Sequence, residues 1–275
     1  MSESCSHNCE TCSQTCSEKD MHASLNAYSQ IRKVVAVSSG KGGVGKSSVT
    51  AMLAVLMARR GYKVGILDAD ITGPSIPKAF GLTAKAKGSE LGILPLETHM
   101  GIKVMSINLL LEHEDQPVVW RGPVLAGAVT QFWTDVVWGE LDYLFIDMPP
   151  GTGDVPLTIY QSIPLDGGII VSTPQTLVQM VVEKARKMAE MLNIPILGMV
   201  ENMSGVVCPD CGRFIPLFGE ADQLAKAANE MGLPLLASLP MNSDVARLCD
   251  SGEIEKIVCD ELASAADAVE ALLKN

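Results

Sequence analysis

Apolar residues fall along this chain in short runs separated by longer stretches of helical period. The runs are Val34–Val37, Lys63–Leu67, Ile102–Ile107, Tyr143–Ile146, Gly168–Ser172, Ile196–Val200 and Leu235–Leu239. A run that is apolar at nearly every position, rather than every second one, predicts a strand covered on both faces. Val49–Arg60, Thr176–Leu192, Glu220–Met231 and Asp260–Leu273 carry their apolar residues at a spacing that predicts helices. Strands alternating with helices predict an α/β protein with a mostly parallel β-sheet flanked by helices on both faces. Ligands of such sheets sit at the carboxyl ends of the strands. The pattern is missing from residues 1–30, which are rich in Ser, Cys and charge. They are expected to form a flexible tail, leaving one core-forming domain over residues 31–275.

Composition narrows the class. A chain of 275 residues that is 47% hydrophobic and 4% aromatic suits a Val/Ile/Leu/Ala-rich core. No apolar run reaches the roughly 18 residues of a membrane span. The polar N-terminus lacks an apolar leader core, so a cytoplasmic protein is expected. A net charge of −11 disfavours nucleic acid as a partner. The acidic, Ala-rich C-terminal stretch disfavours a membrane surface.

The segment Ser38 to Ser48 holds the clearest chemistry. It fits G-x-x-x-x-G-K-[ST], with Gly40 and Gly45 at the fixed spacing, then Lys46 and Ser47. A predicted strand precedes it and a predicted helix follows. Successive backbone N–H groups of Gly40, Lys41, Gly42, Gly43, Val44 and Gly45 can curl around phosphate oxygens, and the helix start adds partial positive charge. Lys46 then reaches the β/γ-phosphates, and the Ser47 hydroxyl joins the Mg²⁺ shell. Two predicted strands end in acids, at Asp68 and at Asp147, the latter followed by Met148-Pro149-Pro150-Gly151-Thr152-Gly153-Asp154. A strand-end carboxylate beside such a loop holds Mg²⁺ directly or through water, although Asp68 or Asp154 could equally cap the segment that follows.

Together these motifs resemble a known family. Gly40-Lys41-Gly42-Gly43-Val44-Gly45-Lys46-Ser47 looks like the deviant Walker A loop of the MinD/ParA/nitrogenase-iron-protein superfamily of P-loop NTPases. Asp68 to Ser75, Trp120-Arg121-Gly122-Pro123, Asp147 to Asp154, Glu201-Asn202-Met203-Ser204 and the pair Cys208/Cys211 resemble the Mrp-type iron–sulfur cluster carrier ATPases. The resemblance implies a homodimer with ATP held between subunits and Lys41 crossing to the partner's nucleotide, while Lys46 acts within its own chain. It also implies that Asp70 orients or deprotonates the attacking water, Asp147 supports Mg²⁺, Gly151–Asp154 senses the γ-phosphate and Asn202 meets the adenine edge. Two other members of the superfamily remain as alternatives, a positioning ATPase of the MinD or ParA kind and an ATP-driven electron donor.

Cysteine placement raises the metal question. Cys208-Pro209-Asp210-Cys211 supplies two thiolates, half of a four-thiolate site, and spacing alone does not choose between zinc and an iron–sulfur cluster. A two-fold axis brings such a patch against its own copy. The family likeness implies the same, one labile 4Fe–4S cluster bridged by both subunits and delivered to apo-proteins. Cys5, Cys9, Cys12 and Cys16 form a second set, expected to bind a cluster or zinc, with spacing tighter than the N-terminal set of some family members. His7 is expected to be solvated, and Cys249 and Cys259 to be ordinary small side chains.

Overall fold

The computed structural model describes residues 22–70, 73, 75–111, 122–175, 178–218 and 222–274. In chain order the elements are β1 (Gln30–Ser39), α1 (Lys46–Arg59), β2 (Val64–Asp68), α2 (Ile76–Ala79), β3 (Lys87–Ser89), β4 (Gly92–Leu94), β5 (Leu96–Glu97), β6 (Lys103–Ser106) and α3 (Gly122–Thr134). There follow β7 (Glu140–Asp147), α4 (Asp154–Ser162), β8 (Gly167–Ser172), α5 (Val178–Met191), β9 (Ile196–Asn202), β10 (Gly205–Val207), β11 (Phe214–Pro216), α6 (Gln223–Glu230), β12 (Leu235–Leu239), α7 (Ser243–Ser251) and α8 (Ala263–Lys274).

Eight strands form one sheet in the order β12-β9-β8-β1-β7-β2-β6-β5, parallel except for the short edge strand β5. Side chains of a strand alternate between faces, and β1 shows how this splits the core. Val35 and Val37 pack with α1, α7 and α8 on one face, while Val34 and Ala36 pack with residues of α3, α4 and α5 on the other. The last six residues of β1 are all buried, as are all of β2 and β8. This two-sided cover is why the strands read as unbroken apolar runs. Helix α1 is buried along most of its length, from Val49 to Met57. It lies between the sheet and the outer helices.

All seven predicted strands are present. The third ends at Ser106, where Ile107 begins a 3₁₀ turn, and the last predicted helix opens with a 3₁₀ turn at Asp260–Leu262 before α8. Four helices, α2, α3, α4 and α7, went unread. Helix α3, with the sequence GPVLAGAVTQFWT, mixes Gly with β-branched residues of low helix propensity, and α4 has Pro156 in its first turn. The boundary of the folded body also lies earlier than residue 31. The Ala23 N–H donates to Ser162 O (2.7 Å), Trp133 Nε1 donates to Ala23 O (2.9 Å), and the Trp138 N–H donates to Ser29 Oγ (2.8 Å). Residues 23–29 are therefore bound to α3, to the end of α4 and to the segment that leads into β7.

Candidate nucleotide site and thiolate hairpin

Registry sets the site. Val37 and Asp68 each pair with Asp147, so β1, β2 and β7 end side by side. The loop leaving β1 turns through Gly43 (φ 77°) and Gly45 (φ 75°), both left-handed, and Gly45 caps the start of α1. A side chain at Gly45 is excluded twice, by its φ and by the Asn202 amide where a Cβ would stand. Asn202 Nδ2 donates to Val44 O (2.9 Å), which ties the end of β9 to the loop. Ser39 Oγ donates to Lys41 O (3.0 Å), and the Gly151 N–H donates to Ser39 O (2.9 Å), laying the segment after β7 against the loop.

The charges meet on Asp147, which is fully buried. Lys46 Nζ lies 2.8 Å from its Oδ1 and 3.7 Å from Asp70 Oδ2. Ser47 Oγ donates to Asp147 Oδ2 (2.5 Å), and Thr50 Oγ1 reaches Asp147 Oδ1 (2.9 Å). Asp68 turns away from these donors. It accepts from Ser106 Oγ (3.1 Å) and from the Asp70 N–H (3.2 Å). Burial, and then the charge of Asp147, push the Asp68 carboxyl up against the pull of Lys46. The two strand-end acids therefore divide their work: Asp147 faces the loop's cation and hydroxyls, and Asp68 braces the backbone that presents Asp70. Gly153 takes the N-cap position of α4, and Asp154 lies in its first turn. A hydroxyl and a carboxylate, Ser47 and Asp147, are the hard oxygen donors that Mg²⁺ takes.

Lys41 stands apart from this cluster. Its Nζ donates to Gln175 Oε1, just beyond the end of β8. The loop thus sends one lysine into the carboxylates and the other sideways along its rim.

Beyond Asn202 the chain passes through Met203 (φ 57°) into the hairpin β10–β11, which carries Cys208 and Cys211. The Gly212 N–H donates to Cys208 O and the Cys208 N–H to Arg213 O, both at 2.9 Å, closing a tight knuckle. Hydrogen bonds from the Cys211 and Asp210 backbone lower the Cys208 thiol's pKa. Cys211 is exposed. A cavity of about 760 Å³ is lined by Gly45, Ser48 and Asn202 and also by Cys208 and Pro209 of the hairpin. Cys249 and Cys259 are half-buried against the core, and burial raises both thiols, Cys259 to about 11.

Cys5, His7, Cys9, Cys12, Cys16, Trp120 and Arg121 lie outside the described residues. Among the described residues, no third His, Cys, Asp or Glu groups with Cys208 and Cys211 as a metal cage. Sequence reasoning missed Thr50, Ser106 and Gln175. Only Thr50 left a signal, since it follows Lys46 and Ser47 by one helical turn.

A glycine-rich loop between a parallel strand and a helix, with a lysine, a hydroxyl and a strand-end acid converging beyond it, defines a P-loop NTPase. The model of the ParA-type family described as NUBPL iron-transfer P-loop NTPase matches residues 30–275. The chain belongs to that family. It is 46% identical over 241 residues to the iron-sulfur cluster carrier protein of Clostridium perfringens, spanning 85% of this chain and 84% of that one. It is 48% identical over 258 residues to the protein of that name from Methanocaldococcus jannaschii, spanning 90% and 89%. Among solved structures, a nucleotide-binding protein in complex with ADP from Archaeoglobus fulgidus is 48% identical with a TM-score of 0.75, over 84% of this chain and 90% of that one. The cell division ATPase MinD of Pyrococcus furiosus, at 21% identity and a TM-score of 0.61 over 88% and 99%, shares the fold.

Proposed function

We propose that this chain is an ATP-dependent iron–sulfur cluster carrier that works as a homodimer in the cytoplasm. Its cargo is a labile 4Fe–4S cluster bridged by Cys208 and Cys211 of two copies and passed to apo-proteins. The observation that carries this reading is a single cavity lined both by Gly45, Ser48 and Asn202 and by Cys208. Nucleotide and cargo then meet the same walls.

The residues take these roles. Backbone N–H groups from Gly40 to Gly45 and Ser48 receive phosphate oxygens. Lys46 gives its charge to the β/γ-phosphates of its own nucleotide, and Lys41, carried on the rim beside Gln175, serves the partner's. Bound Mg²⁺ neutralises phosphate charge, and Ser47 and Asp147 would hold it. Asp70, braced by Asp68, orients the attacking water. Asn202 reads the adenine edge while its amide holds Val44. Hydrolysis is slow and coupled to cluster loading or transfer.

Two copies are favoured by the hairpin surface, where Val207, Phe214 and Ile215 are exposed beside the two thiols. The positioning-ATPase alternative is disfavoured by α8. Its apolar residues Ala265, Ala266 and Val269 are spent in the core, and Arg60 Nη1 binds Asp267 (2.8 Å) and Glu270 (2.7 Å) on it. No helix among the described residues is long and apolar enough to cross a membrane.

The test is anaerobic reconstitution with iron and sulfide counting and native mass, on the wild type and Cys208→Ala. The reading expects a brown dimer whose iron falls in the variant by half a cluster per chain. Stoichiometric zinc with no chromophore contradicts it.

A further inference from the structure

Thr50 has no role in the proposed function, yet it is a fully buried hydroxyl on a helix whose other buried side chains, Lys46 apart, are Val, Leu, Met and Ala. Its proton has two acceptors in reach, Lys46 O at 3.0 Å and Asp147 Oδ1 at 2.9 Å. A hydroxyl in a helix can always return to the carbonyl one turn back, so the first contact alone means nothing. The second joins residues 97 apart in sequence and ends on a charged oxygen, the stronger acceptor.

The geometry points to Thr50 as a positioning residue for Asp147. Each carboxylate oxygen has one hydroxyl donor from α1, Ser47 on Oδ2 and Thr50 on Oδ1, so the helix fixes the carboxylate's rotation from both sides. Oδ1 also takes Lys46 Nζ. That ammonium is the group a P-loop turns toward phosphate, and Thr50 is then the donor left to hold Oδ1. Held in this way, Asp147 keeps its remaining lone pairs aimed at the Mg²⁺ shell. The role rests on the nucleotide reading and extends it to a residue outside the loop motif.

The experiment titrates a fluorescent ADP analogue into wild type, Thr50→Val and Thr50→Ser, with EDTA and across a Mg²⁺ series, with a melting curve for each. In Thr50→Val the Mg²⁺ concentration for half-maximal tightening should rise about tenfold, the weight of one hydrogen bond to a charged group. Binding in EDTA should stay within about twofold, and Thr50→Ser should restore the wild-type Mg²⁺ response. If Thr50→Val does not fold, Thr50→Ala takes its place in the same comparison. Equal shifts with and without Mg²⁺, or no shift, overturn the role and leave the nucleotide reading standing. A wild type that binds no analogue overturns both.

Discussion

The two chemical centres of this molecule are held in opposite ways. At the loop, a buried lysine and two hydroxyls converge on one buried carboxylate, and contacts from β1, β7 and β9 brace the backbone around them. At the hairpin, two thiols sit on a small two-stranded arm whose strands, three residues each, lie mostly in solvent. Preorganised donors suit a site that must stabilise transferring charge without rearranging. A sparsely supported pair of soft ligands suits a site that must let its cargo go. The difference is one of support: the loop is braced by several segments, and the thiol arm is short and exposed. The join is short: Asn202 holds the loop, and Cys208 begins the knuckle only six positions later.

If that division holds, damage to the braced centre leaves the thiol pair able to load. Asp70→Ala should lower hydrolysis by about 10³-fold, within the range for a lost proton-transfer group, with nucleotide affinity changed only a few-fold. Lys46→Ala should weaken nucleotide binding by about 10²-fold, as expected for a lost charge-assisted hydrogen bond. Both variants should take up the same iron and sulfide as wild type. Loss of iron in either one breaks the comparison. A phosphate-release assay, nucleotide titration and iron counting give the three readings.

The thiols sharpen it by an order of magnitude or so. A lowered pKa means that thiolate appears at lower pH, and a raised one that it appears only in alkali. Cys208 is shifted down by backbone N–H groups, and Cys259, pushed up to about 11 by burial and then by Glu261, should stay protonated through neutral pH. At pH 8 in the apo-protein, iodoacetamide should modify Cys208 roughly tenfold faster than Cys259, read by peptide mass spectrometry. Equal rates contradict the account of the knuckle. The smallest effect is at the join. Asn202→Ala removes the bond to Val44 O together with the amide proposed to meet the adenine edge, with a combined net weight of about 1 kcal/mol, and should weaken nucleotide binding about fivefold in the same titration.

Much of this was legible in sequence because it is local. The loop from Gly40 to Ser48, the apolar runs and the Cys208/Cys211 pair are each patterns within a dozen residues. What was not legible depends on contacts between distant segments. Asp68 and Asp147 look alike as strand-end acids. The family likeness singles out Asp147 for Mg²⁺, and the sheet order, which places β7 beside β1 and β2 one strand further out, gives the physical reason. Ser106 meets Asp68 across 38 positions, and Gln175 meets Lys41 across 134. The cavity needs β9, β10, β12 and α7 together, and no run of residues announces it.

The central claim is that the nucleotide acts on the cluster. It is tested most directly by following, in anaerobically reconstituted protein, cluster transfer to an apo-ferredoxin with and without Mg²⁺–ATP, in wild type and Lys46→Ala. The account predicts that ATP changes the wild-type transfer rate several-fold and leaves the Lys46→Ala rate unchanged. Equal wild-type rates with and without ATP, at the same cluster loading, would contradict it.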